Sequence, residues 1–229
     1  MRHFDRVLVV SPHADDEVLG CGGLLGALSD AGSDVRVLYL AVDGMRHYGL
    51  AEPTGYEQRV AEIDAVAKIL GFRYEIAYGD KQLTERLDTL PRRELVDLFQ
   101  DRLDQFRPDL LLLPSGHDYD QDHVATFAAG FAAARPIGSA FGKWLVPNVL
   151  SYEMSKLQWA TEPLARCTSY ADITAHLQRK LAALRAYASQ YRPVPHMRSE
   201  DSVSALATIR GAEAGVRYAE AFEAHRTVL

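Results

Sequence analysis

Apolar positions fall along this chain in two alternating rhythms. Short continuous runs at 6–10, 34–41, 74–77 and 109–113 are each followed by a longer stretch with helical spacing, at 18–31, 56–70, 91–106 and 124–134. An unbroken apolar run of about four to eight residues reads as a strand covered on both faces, and a period of roughly 3.6 as a helix with one covered face. The repeated βα order predicts a single α/β domain over 1–229. It is Rossmann-like, with a mostly parallel sheet, helices on both faces and right-handed crossovers. Gly32, Gly71 and Pro108 stand where the helices should stop. A further strand is expected at 146–152. From Tyr170 onward the pattern predicts a helical C-terminal region, with helices at 173–189 and 202–226 separated by the turn from Tyr191 to His196.

Ligands of open parallel sheets bind beyond the carboxyl ends of the strands. The first strand runs directly into His13, Asp15, Asp16 and Glu17, and the run 109–113 empties into His117, Asp118, Asp120, Asp122 and His123. Adjacent like charges in a cleft are costly unless a cation reverses the local field. His13 and Asp16 lie three apart at a strand-to-helix junction, so one turn directs both at one point. With His123 as third ligand they make a zinc site that leaves a position for water. Such an ion acidifies water and polarises a carbonyl. Asp15, free beside a ligand, is then the proton acceptor, and Asp122 a carboxylate that orients a neighbour. A lone Asp at this junction is more often a helix cap, and His117 and Asp118 read equally well as loop residues. His47, His176 and His225 have nothing nearby that completes a site.

Composition narrows the class. The 229 residues carry 25 Lys plus Arg against 31 Asp plus Glu, a net charge of −6, which gives no footprint for nucleic acid. A neutral or cationic small molecule suits this balance better. Cys21 and Cys167 are too few for a disulfide framework or a cysteine-rich metal site. The apolar run near the N-terminus is too short for a signal-peptide core or a membrane span, so the expectation is a cytoplasmic protein without a membrane partner. Gly20, Gly22, Gly23 and Gly26, with Asp43 after the second strand, suggest a dinucleotide unit. Leu25 occupies the third glycine position, however, and three carboxylates precede the glycines, where they would repel a pyrophosphate.

The stretch SPHADDE resembles the PHxDDE signature of the PIG-L or LmbE-like deacetylases, zinc enzymes that remove acetyl groups from N-acetylglucosaminyl compounds. Gln121 to His123 resembles the family's second motif, and Arg59-Val-Ala-Glu62 its RxxE segment. Lys180, Ala183-Leu184, Ser189-Gln190, Arg210-Gly211 and the Tyr218 to Phe222 stretch agree with its tail. The resemblance implies one Zn²⁺ on His13, Asp16 and His123, Asp15 as general base, Asp122 as supporting carboxylate and Arg59 on the sugar side. Other divalent transition metals suit the same donors. The implied substrate is a small N-acetylated sugar or metabolite. An amidase on another N-acyl compound or thiol conjugate, a non-catalytic metal or carbohydrate binder, and a homo-oligomeric state stay open.

One position departs from the family pattern. Asp120 stands where many members carry a histidine thought to stabilise the oxyanion or protonate the leaving amine. An ionised carboxylate there disfavours a tetrahedral oxyanion. His117, from the same loop and on the substrate side, or His196, from the Pro-Val-Pro-His turn or a neighbouring subunit, is then the expected catalytic substitute. Arg46 and His47 are weaker candidates. A charged Asp120 would alternatively recognise a cationic substrate.

Overall fold

The computed structural model describes residues 3–42, 54–79, 81–155 and 167–228. The expected βα order is present: β1 (Arg6–Ser11), α1 (Asp16–Asp30), β2 (Asp34–Tyr39), α2 (Tyr56–Leu70), β3 (Arg73–Ile76), α3 (Arg92–Phe106), β4 (Leu110–Pro114), α4 (Gln121–Ala133) and β5 (Asn148–Tyr152). The chain continues through β6 (Ser169–Asp172), α5 (Leu177–Ala186), α6 (Glu200–Ala214) and β7 (Ala219–Thr227). The sheet order is β3-β2-β1-β4-β5-β7-β6. The first five strands are parallel, and β7 runs antiparallel to both β5 and β6. Asp43, Arg46 and His47 lie outside the described residues.

Successive residues of the central strands feed opposite faces of the sheet. Val7, Val9, Leu110 and Leu112 join a core with Val18, Leu25, Ile63 and Leu184 of α1, α2 and α5. Leu8, Val10, Leu111 and Leu113 join the other core with Leu95, Phe99 and Leu103 of α3 and Ala129 of α4. Double coverage explains why these strands read as unbroken apolar runs. Each fully buried Leu or Phe contributes about 1.5–3 kcal/mol. Gly20 marks a tight approach of α1 to the sheet: a Cβ there would lie 2.2 Å from Cδ2 of Tyr152.

The C-terminal region corrects the all-helical expectation. The helix expected at 202–226 stops at Gly215, whose φ of 73° glycine adopts at little cost, and the chain returns as β7. Ala219 to Phe222, favourable to helix in isolation, pair with β6, and β5 takes up β7 from Phe222 onward, so strand pairing overrides local preference. The helix expected at 173–189 is confined to α5, because residues before Leu177 supply β6 and a turn. Both cysteines are free, Cys21 buried and Cys167 partly so. Among the described residues no helix is long and apolar enough to cross a membrane.

Candidate metal centre and active site

β1 pairs with β2 on one side and β4 on the other, so the carboxyl ends of β1 and β4 flank the switch point of the sheet. The loop after β1 is tightly held. Asp15 has a φ of 123°, a conformation that persists only where surroundings over-determine it. Ser11 Oγ donates to His13 O (2.7 Å), Arg59 Nη2 to Ala14 O (2.5 Å) and Asp15 N to Glu17 Oε2 (3.2 Å). Glu17 also accepts from Tyr187 Oη (2.6 Å) and, more weakly, Ser11 Oγ (3.3 Å). Burial pushes its carboxyl up to about 7, against the lowering effect of hydrogen bonds from Tyr187 and Tyr39. Glu17 thus supports the loop. Asp15 sits at the N-cap of α1 yet its side chain makes no capping hydrogen bond, so it does not serve there as a helix cap.

Two imidazoles from the two loops face each other, with ring centroids 5.7 Å apart. Each has its outer nitrogen against a carboxylate: His13 Nε2 lies 2.8 Å from Asp122 Oδ2, and His123 Nδ1 lies 2.8 Å from Asp118 Oδ2. The Asp122 contact is a hydrogen bond, a partner of the kind that fixes a ring and its tautomer and leaves the inner nitrogen basic, and the Asp118 contact is a close approach of charge to His123. Asp122 therefore orients His13 rather than its chain neighbour, and is itself held by Leu87 N (2.7 Å). The inner atoms converge on Asp16, whose Oδ2 is 3.6 Å from His13 Nδ1 and 3.2 Å from His123 Nε2. His13, Asp120 and His123 also offer donor atoms all within 4.8 Å of one another. These separations suit neighbouring donors of a common ion with bonds of about 2.0–2.2 Å. Burial lowers the pKa of His13, but Asp122, Asp16 and Asp120 together raise it above its ordinary value. Asp16, Asp118 and Asp122 outnumber the two imidazoles and leave an excess of negative charge, so the residues fit a divalent cation.

Beside this cluster a cavity of about 330 Å³ opens, walled by His13, Asp15, Arg59, Glu85, Tyr119, Asp120, Met154, Gln190, Arg192, His196 and Arg198. Asp15 is buried, with Oδ2 2.6 Å from Arg198 Nε and Oδ1 without a hydrogen-bond partner among the described residues. Burial works against the charge on Arg198, yet Asp15 and Asp16 raise its pKa. His196 lines the cavity and accepts from Arg198 N at Nδ1 (3.0 Å). Burial, Arg198 and Arg192 lower its pKa, so the ring stays neutral at neutral pH.

The structure brings together His13, Asp15, Asp16, Asp120, Asp122, His123 and His196. Arg59 reaches the wall, but its guanidinium is committed to Ala14 O, to Ser189 Oγ (3.1 Å) and to Glu62 (3.5 Å). His117 lies 3.7 Å from Glu223 of β7 and is not among the residues lining the cavity. Sequence reasoning missed Arg198 and the role of Asp118. The alternation Asp118, Asp120, Asp122 was a usable signal. Arg198 had only an indirect one, since a buried Asp15 requires a cation.

A protein-family model described as PIG-L, GlcNAc-PI de-N-acetylase, matches residues 8–134, more than half of the chain. Diacetylchitobiose deacetylase of Thermococcus kodakarensis is 27% identical over 230 residues, covering 94% of this chain and 81% of that protein. The crystal structure of conserved protein TT1542 from Thermus thermophilus superposes with a TM-score of 0.77 at 27% identity, over 99% of this chain and 96% of its own. GalB, the 4-carboxy-2-hydroxymuconate hydratase of Pseudomonas putida KT2440, shares the fold with a TM-score of 0.78 at 24% identity, over 98% of both chains.

Proposed function

Because this chain belongs to the PIG-L family of GlcNAc-PI de-N-acetylases, we propose that it is a metal-dependent N-deacetylase that hydrolyses the acetamide of a small amino sugar or sugar-bearing metabolite. The observation that carries this reading is the pair of imidazoles, each with a carboxylate against it, converging on Asp16 beside a cavity that also presents Asp15. His13, Asp16 and His123 are the residues to hold the ion, with zinc the natural choice for imidazole and carboxylate donors. When bound, such an ion supplies Lewis-acid polarisation and acidifies water.

The chain's own groups divide the remaining work. Asp15, fixed through Oδ2 by Arg198, accepts at Oδ1 the proton of the water that attacks the acetyl carbon. The same proton passes to the nitrogen as the C–N bond breaks, giving acetate and a free amine. His196, neutral and in the cavity wall, is placed to hydrogen-bond the leaving amine. Relatives that act on N-acetylated sugars, such as diacetylchitobiose deacetylase, support the substrate class.

The test is release of free amine from a panel of N-acetylated amino sugars by zinc-loaded protein. Turnover by the wild type, and a loss of about 10²-fold or more in Asp15→Asn, are expected. Absence of amine release across the panel, or full turnover by Asp15→Asn, would overturn the reading.

A further inference from the structure

We propose that Asp120 is a fourth protein donor to the divalent ion, so that this chain offers it two imidazoles and two carboxylates. The proposal rests on the reading of His13, Asp16 and His123 as a metal site. Asp120 divides its oxygens between two tasks: Oδ1 caps α4 by accepting from Asp122 N (3.0 Å), while Oδ2 lies 3.8 Å from His123 Nε2. The carboxylate is held before any ligand arrives, because Asp120 N donates to Asp118 Oδ1 (3.1 Å) and the cap fixes the other end. A cap needs only one oxygen. The second points into the cluster of donor atoms that His13 and His123 share within 4.8 Å. Asp16 Oδ2 lies 3.2 Å from the same His123 Nε2, so two carboxylates approach one nitrogen, an arrangement that a cation favours.

The consequence is a site richer in oxygen than two imidazoles and one carboxylate would make. Four protein donors would match the number that closed zinc sites use, so admitting water or substrate would call for a higher coordination number. Ions that tolerate higher coordination numbers are correspondingly favoured.

The experiment measures metal affinity and geometry rather than turnover. Zn²⁺ affinity is read by competition with a chromophoric chelator, and the visible spectrum of the Co²⁺-loaded protein reports coordination, for the wild type, Asp120→Asn and Asp120→Ser. Asn and Ser both keep a helix cap, so circular dichroism should show all three folded. The expected result is one ion per wild-type chain, with affinity reduced about tenfold or more and an altered cobalt spectrum in both variants. Unchanged affinity and spectrum would leave Asp120 a helix cap only. Weaker affinity with an unchanged spectrum would reduce it to a field effect, and either outcome overturns the assignment. Failure of the wild type to bind an ion would instead overturn the metal site itself.

Discussion

Substituting Lys180 by Met tests how this fold tolerates a broken helix beside its centre. α1 is interrupted at Cys21, where φ and ψ are −144° and 17°. The groups released by the break are met by side chains from distant elements. Glu220 of β7 accepts from Gly23 N (2.9 Å) and Leu24 N (2.8 Å), and Lys180 of α5 donates to Leu19 O (2.9 Å) and Glu220 (2.6 Å). Both side chains are almost fully buried, with 4% and 3% exposed. Removing one partner of a buried pair costs about 3–5 kcal/mol, and the two N–H groups still on Glu220 keep this case near about 3. An orphaned Leu19 carbonyl adds about 1 kcal/mol. With a urea m-value of about 3 kcal/mol/M, the sum of about 4 kcal/mol lowers the midpoint by about 1.3 M. The double variant Lys180→Met/Glu220→Gln, which holds no buried charge, should recover a substantial part of that loss. A shift below about 0.3 M for the single variant, or simple additivity in the double, would refute the account.

Gly20→Ala drives a methyl into the ring of Tyr152, whose hydroxyl donates to Val10 O (3.0 Å); a loss of about 1–3 kcal/mol is expected in thermal melts. Unchanged melting would mean that the ring moves freely. Asp122→Asn loosens His13, and zinc competition should show affinity falling about 10–100-fold with folding retained. For His225, burial lowers the pKa despite Glu223, so the folded state binds its proton less readily than the unfolded chain. Its contribution to stability is therefore present above the unfolded imidazole value and lost as pH falls through the folded one. Urea midpoints at pH 7.5 and 5 should show the wild type losing ground to His225→Gln on acidification, and a gap independent of pH would contradict this.

The first four strand–helix units were legible because doubly covered strands leave unbroken apolar runs, as in Leu110 to Leu113, and because polar residues cluster where such runs end. The meeting of His13, Asp16 and His123 was legible for the same reason: two acidic, histidine-bearing segments follow strands that pair in the sheet. The C-terminal strands were not, since Ala219 to Phe222 carries small and acidic residues that favour helix until β6 pairs with it. The clamp of Arg198 on Asp15 joins positions 183 residues apart, and no local spacing encodes such a contact. The partition of carboxylates was equally hidden. Adjacency pairs Asp122 with His123, whereas the backbone at the start of α4 sends it to His13.

The seam between β1 and β4 carries one further consequence. Residues 13 and 123 come into reach only after strands separated by three crossovers have zipped together in the middle of the sheet. An ion held across that seam and not by the denatured ensemble would, by mass action, stabilise the fold by about 2.7 kcal/mol at a hundredfold excess over Kd and raise the melting temperature as its concentration grows. Thermal shift against metal concentration thus doubles as a gauge of whether the sheet's centre has closed.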